Sequence, residues 1–392
     1  MVAPYAIIII LAATVSCAPR FEDDYDFTLT SVTKAPTTKV KQENECQTSK
    51  GMKGICVQSY QCDRKTGQVI MGGEDIIDVR SLGCTNPSEV CCLDDSLVSK
   101  FGDSVNNVDC GVSKPFDTNP SPNGTARFGE FPWVVALLNR TSVGDWSDYY
   151  FGVGVLIHPS VVATIAHKFD QNYKRIDVYT ASEAKVRAGE FNALTTSEPY
   201  PYQERNVQKI IMHNQYRTRR IHYDLSLLVL ESPFDMSAPH IGVACLAATP
   251  IRAAQGTNCV GAGWGTTDFE SQDYSTTLKK VTLPLVDPDV CEAQFRRSSR
   301  YGSYYILNPS LICAGGRNGE DLCRGDGGAP LSCPVGGPGS QRYLVYGLSA
   351  HGIECSYKNP IPSQYANIPH LYKWIENTMV KEGFDTEQFK YS

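Results

Sequence analysis

A chain of 392 residues is long enough for two domains, one of them large enough to bury a full core. Its net charge of −6 is modest, and acids and bases are interspersed without a long basic run. Nucleic acid and anionic membrane surfaces are therefore not indicated as partners.

Residues 1–17 carry an apolar run from Tyr5 to Val15, centred on Ile7-Ile8-Ile9-Ile10-Leu11 and ending in small residues. It is too short to span a bilayer and reads as a secretory signal peptide, although no Lys or Arg precedes it. Cleavage after Cys17 avoids placing Pro19 just beyond the scissile bond. It also removes one of fifteen cysteines and leaves an even number, as disulfides in an oxidising compartment require. The expectation is a secreted protein without a membrane span.

Residues 18–45 open with Glu22-Asp23-Asp24-Tyr25-Asp26 and continue through Thr, Ser, Lys and Pro without apolar periodicity, the composition of a disordered leader. Six cysteines follow in residues 46–92: Cys46, Cys56, Cys62, Cys84 and the adjacent pair Cys91-Cys92. A module this small needs covalent staples in place of a core. Zinc is the competing reading, disfavoured because the segment holds neither a C-x-x-C pair nor a histidine. Six cysteines allow fifteen pairings, and the sequence alone does not choose among them. Between Cys62 and Cys84, Arg80 reads as a trypsin-type cleavage point, a role any exposed arginine could claim. Residues 93–127 are polar and read as a linker. Asn123-Gly124-Thr125 and Asn139-Arg140-Thr141 are glycosylation sequons, usable in a secreted chain where exposed.

From residue 128 onward, short apolar or alternating runs recur at 134–138, 152–157, 161–165, 185–189, 225–230, 259–263, 281–285 and 343–348, separated by Gly, Pro and Asn. This pattern predicts an all-β sandwich or barrel. Near the C-terminus, Leu371, Trp374, Ile375 and Met379 form one apolar stripe at helical spacing and predict a docked helix. Cys323-Arg324-Gly325-Asp326-Gly327-Gly328-Ala329-Pro330 would, in isolation, be a tight turn rich in glycine.

Four segments in order give that turn another meaning. Gly129-Glu130-Phe131-Pro132-Trp133, Thr164-Ile165-Ala166-His167, Asp224-Leu225-Ser226-Leu227-Leu228 and Cys323 to Pro330 resemble the signature segments of trypsin-like serine proteases. The last is usually written Gly-Asp-Ser-Gly-Gly-Pro, so Gly327 stands where the nucleophilic serine belongs. His167, Asp224 and Gly327 then form a degenerate triad: a histidine oriented by an aspartate, with no hydroxyl to activate. With the terminal Cys-Cys of the first module, the chain as a whole resembles the insect clip-domain serine protease homologues, the inactive, masquerade-like branch, over roughly residues 46–380.

The resemblance implies a mainly β fold, a trypsin-like double antiparallel β-barrel with a C-terminal helix, preceded by a small disulfide-rich clip domain. It places the clip domain at 46–92 and the protease-like domain at 128–392. It implies disulfides Cys46–Cys91, Cys56–Cys84 and Cys62–Cys92 in the clip, then Cys110–Cys245, Cys259–Cys333, Cys291–Cys313 and Cys323–Cys355. The bridge that usually flanks the histidine is replaced at both ends, by Phe151 and Lys168. Asp321 aligns with the acidic base of a Lys/Arg specificity pocket, while His351 and Ser363 align with the glycines that keep such a pocket open. Glu190, Asn192 and Glu204 lie in a loop like the family's calcium loop, with a plain acidic loop as the alternative.

Active members are cut before Ile-Val-Gly-Gly, and the new amine pairs with the aspartate at the position of Asp326. Here the corresponding stretch reads Asn119-Pro120-Ser121-Pro122. Asp326 is therefore expected to lack that partner, leaving the loop zymogen-like or held in another way. The function implied is a non-catalytic cofactor or regulator of an extracellular innate-immune cascade in the haemolymph, with clip-domain serine proteases and prophenoloxidase as partners. Cleavage in the clip would be the switch, with oligomerisation as a candidate consequence. Two alternatives stand beside it: a protein that recognises microbial surfaces or acts as a scaffold, and an active endopeptidase using a substitute nucleophile such as Ser332.

Overall fold

The computed structural model describes residues 110–391 apart from 118–120, 123, 174–177, 219, 249–256, 268–270, 272, 299, 317–320, 336–339, 354 and 356–360, together with residues 45–47, 53–58, 84 and 89–93. The signal-like stretch, the acidic leader, Cys62, Arg80, Asn119 and Asn123 lie outside the described residues.

In the N-terminal module, β1 (Glu45–Gln47), β2 (Lys53–Gln58) and β3 (Glu89–Leu93) form an antiparallel sheet with β2 at its centre. Cys46 lies opposite Gly54, and Cys56 opposite Cys91. Cys84 is disulfide-bonded.

The larger module is built from two rings of strands. In the first, β4 (Val134–Asn139), β5 (Tyr150–His158), β6 (Val161–Thr164), β7 (Ala184–Ala188), β8 (Gln203–Met212) and β9 (Ser226–Leu230) close in the order β4-β5-β6-β9-β8-β7. β5 and β9 are buried along their whole length. Their Val, Leu and Ile residues suit a strand covered on both faces.

The second ring comprises β11 (Asn258–Gly263), β12 (Lys279–Val286), β13 (Leu311–Ala314), β14 (Pro330–Val335), β15 (Arg342–His351) and β16 (Ser363–Asn367), closed by the β15–β16 pairing. A short β10 (Cys245–Leu246) adds parallel to β15. Closure leaves few strand edges that could recruit another chain.

Three α-helices are described: α1 (Trp146–Tyr149), α2 (Pro288–Arg297) and α3 (Ile368–Lys381). α3 buries Ile368, Leu371, Ile375 and Met379, and Trp374 packs partly buried against the core, its ring 4.6 Å from that of His213. Trp133 and Trp264 are fully buried in the continuous core. The indole N–H of Trp133 donates to the Ser332 hydroxyl at 3.3 Å, joining the two rings across nearly two hundred residues. Disulfides join Cys110 to Cys245, Cys259 to Cys333, Cys291 to Cys313 and Cys323 to Cys355. The first of them closes a loop of 135 residues.

Candidate functional site

β6 ends at Thr164, and a single 3-10 turn (Ala166–Lys168) follows, carrying His167. β9 begins two residues after Asp224, and its antiparallel pairing with β6 brings the two together. The Nδ1 atom of His167 lies 2.6 Å from Oδ2 of Asp224, and the His167 backbone N–H donates to Oδ1 at 2.9 Å. Asp224 is fully buried. This is the orienting half of a relay, with the carboxylate fixing the imidazole.

The loop before β14 brings Gly327 into the same region. No side chain is present there to attack a carbonyl, and the space is taken. A Cβ built on Gly327 would lie 2.8 Å from Cδ1 of Ile165 and 3.3 Å from Cε of Lys168. The change at Lys168 is visible in the sequence, but the filling role of these two residues is not. Gly328 is held close as well: its φ is +91°, and a Cβ there would come 2.0 Å from the carbonyl oxygen of Val153. Only glycine fits at that position.

Lys168 and Phe151 stand where the flanking disulfide is missing. The ammonium of Lys168 donates to the Phe151 carbonyl at 2.5 Å, and the Phe151 ring stacks on Tyr179 at 3.9 Å. A charge-assisted hydrogen bond thus connects the two changed positions directly, and Tyr179, which stacks on Phe151, donates its N–H to the Lys168 carbonyl at 2.9 Å.

Asp326, buried beneath the loop, accepts from the backbone N–H groups of Gly265 (2.8 Å) and Cys323 (2.9 Å). Burial pushes its carboxyl up to about 6, while those two hydrogen bonds and the positive charge of Lys168 oppose the shift. The aspartate is therefore held by internal groups. Ser332, the candidate for a substitute nucleophile, is buried and engaged by Trp133.

Asp321, which aligns with the acidic base of a specificity pocket, is engaged by its own neighbours. Asp321 accepts from the Ser363 hydroxyl at 2.8 Å, from the Leu322 backbone N–H at 2.8 Å and from the Tyr365 hydroxyl at 3.4 Å. Burial pushes its carboxyl up to about 7 despite these donors. His351, on β15 opposite Gln364, lies with its ring 6.2 Å from that of Tyr301. Asp321 and Ser363 are thus brought together, whereas His351 is engaged with another group.

In the loop read as calcium-like, the carboxylates face a cation of the chain itself. The guanidinium of Arg187 lies between the two carboxylates: Nη1 donates to Glu190 at 2.8 Å, and Nε and Nη2 donate to Glu204 at 2.9 and 2.7 Å. Lys185 also reaches Glu204 at 3.0 Å. Asn192 turns its carbonyl oxygen to the Leu194 N–H at 3.2 Å. Among the described residues, no group of three His, Cys, Asp or Glu could hold a metal ion. Arg187 already supplies the cation, and the residues present do not fit calcium.

Arg187→Met should leave the buried Glu190 unpaired and lower stability by about 3–5 kcal/mol. Millimolar calcium, compared with EDTA, should leave the melting temperature of the wild type unchanged. A calcium-dependent rise would overturn the Arg187 account.

Asn139 is partly exposed, and its side-chain oxygen accepts from the Thr141 N–H (3.0 Å) and hydroxyl (2.7 Å), so the second sequon lies at an accessible turn.

A family model described as "Trypsin" matches residues 123–375, and one described as "Serine protease Clip domain PPAF-2" matches residues 43–93. The chain is 40% identical over 276 residues to the "Phenoloxidase-activating factor 2" of Galleria mellonella, covering 69% of this chain and 87% of that protein. It is 39% identical over 337 residues to the "Inactive CLIP domain-containing serine protease A3" of Aedes aegypti, covering 83% of this chain and 66% of that protein. It is 30% identical over 347 residues to the "Inactive CLIP domain-containing serine protease A8" of Anopheles gambiae, covering 83% and 88%.

Proposed function

The chain belongs to the insect clip-domain serine protease homologues, with a trypsin-family domain behind a clip domain, and from that premise we propose that it is a non-catalytic cofactor of an extracellular innate-immune protease cascade that activates prophenoloxidase and leads to melanisation. The observation that carries this reading is the pairing of an ordered His167–Asp224 unit with a Gly327 whose missing side chain has its space occupied by Ile165 and Lys168. A fold kept intact around a disabled centre is suited to binding. The relatives' names supply the context, one a phenoloxidase-activating factor and two described as inactive.

In this reading the partners are prophenoloxidase and an active clip-domain protease, and the protein acts in the haemolymph. Cleavage at Arg80 switches it while the clip disulfides hold the cut ends together, and Asn123 and Asn139 carry glycans. Among the described residues, no helix is long and apolar enough to cross a membrane. The experiment is reconstitution of prophenoloxidase and its activating protease with the wild type or with Arg80→Ala. Phenoloxidase output should change with the wild type and change less with the variant. Identical output in every combination would remove the reading, and retention on microbial cell walls without any effect on prophenoloxidase would favour the recognition alternative.

A further inference from the structure

We propose that the loop delivering Asp224 forms a docking site for an acidic peptide segment of a partner protein, in a cavity of about 810 Å³ walled by Arg217 and Arg220. The site is direct binding surface, and it stands whether or not the cascade role does.

The loop runs from the end of β8 to the start of β9 and closes tightly on itself. Arg217 N–H donates to the His222 carbonyl at 3.1 Å, and the N–H groups of Arg220 and Ile221 both donate to the Arg217 carbonyl at 3.0 Å. Ile221 and Tyr223 have positive φ, 48° and 54°, in a described chain where every other such residue is glycine. For a β-branched residue this conformation is costly, and such strain persists where the surroundings fix it, commonly at binding sites. The surroundings here are visible: Tyr223 N–H donates to the Ser310 hydroxyl at 2.9 Å, and its ring stacks on His213 at 5.0 Å. The cavity wall is thus preorganised, which lowers the entropic cost of binding.

Its charge is unbalanced. Elsewhere in this domain cations rest on carboxylates: Arg127 and Lys280 on Glu130, Arg187 on Glu190 and Glu204, Arg296 on Glu292. Arg217 and Arg220 are exposed and make no ion pair among the described residues. Asp224, the acid nearest in the chain, is buried and turned to His167, and Asp170 is buried with its Oδ1 accepting from the Asn172 N–H. In a protein of net charge −6, two guanidiniums that face one concavity and have no carboxylate partner among the described residues are complementary to carboxylates, which they can grip through paired N–H donors.

The remaining lining favours a peptide over a sulfated polysaccharide. Asn172 and Gln215 offer amides that can both donate to and accept from a peptide backbone, and Tyr223 offers a ring.

The test uses the full-length protein and a fluorescein-labelled octapeptide of alternating Glu and Tyr, followed by anisotropy at low and physiological salt, with an alternating Lys and Tyr peptide and low-molecular-weight heparin as comparison arms. The acidic peptide should bind, and more weakly as salt rises. The double variant Arg217→Glu/Arg220→Glu should weaken binding roughly thirtyfold or more, while Lys373→Glu on exposed α3 should leave it unchanged. Arg220→Gln, which keeps a polar side chain, should weaken it severalfold and serves if the double variant does not fold. Absence of peptide binding, equal weakening by Lys373→Glu, or binding of heparin but not the peptide would overturn the proposal.

Discussion

Gly327→Ser should yield a protein that hydrolyses no arginine ester or anilide and takes no label from a fluorophosphonate. In a triad that acts as a unit, loss of the nucleophile costs on the order of a millionfold in turnover, so full restoration would be unmistakable. The new Cβ would sit 2.8 Å from Cδ1 of the fully buried Ile165, so that side-chain tip would have to shift within a packed core. Overpacking of this kind costs about 1–3 kcal/mol, which should lower the melting temperature by several degrees. Adding Ile165→Val, which removes only the Cδ1 that the new Cβ meets, should recover part of that loss. Activity should still be absent in the double variant, because Asp321 is engaged by Ser363 and an arginine side chain would find no free carboxylate. Appreciable turnover by the single variant would show that the filled space does not exclude the nucleophile.

The large features of the fold were legible because they rest on local patterns. Runs of Val, Leu and Ile marked β4, β5, β6 and β9, and the spacing of Leu371, Ile375 and Met379 marked α3. β8 was not legible, since Val207 is its only buried residue and its exposed flanks obscure the alternation. α2 carries a start signal in its own residues: Asp287 accepts from the Asp289 N–H at 2.9 Å, and Pro288 follows at the first helical position. The site divided in the same way. Gly327 could be read directly, but the occupation of its space depends on Ile165 and Lys168 meeting it across the two rings. Likewise Glu190 and Glu204 suggested a cation, and only the pairing of β7 with β8 placed Arg187 opposite Glu204. Residue types disclose which chemistry is missing; long-range contacts decide what has taken its place.

Asp321→Asn should make the protein more stable at pH 8 than the wild type, with the advantage shrinking as pH falls. The folded-state carboxyl is raised to about 7, above its ordinary value of 3.8, because burial opposes the charged form more strongly than Ser363, Leu322 and Tyr365 favour it. An acid raised on folding stabilises the native state below its unfolded pKa, and that contribution is lost as pH rises through the folded value. The affected window is therefore about pH 4 to 7, and the full effect is on the order of 4 kcal/mol, or several degrees or more in melting temperature for a domain of this size. The amide keeps an oxygen for the Leu322 N–H, and the Ser363 hydroxyl can rotate to accept from the new NH₂ group. Asp326, raised to about 6 by burial, titrates in the same direction and adds to the effect through its charge on Asp321. It is present in both proteins, so the difference in melting temperature between wild type and Asp321→Asn across pH 4 to 8 isolates the pocket aspartate. A difference that stays flat over that range, or an Asn variant less stable at pH 8, would show that Asp321 is held ionised in the fold and that the pocket retains a charge able to receive a basic side chain.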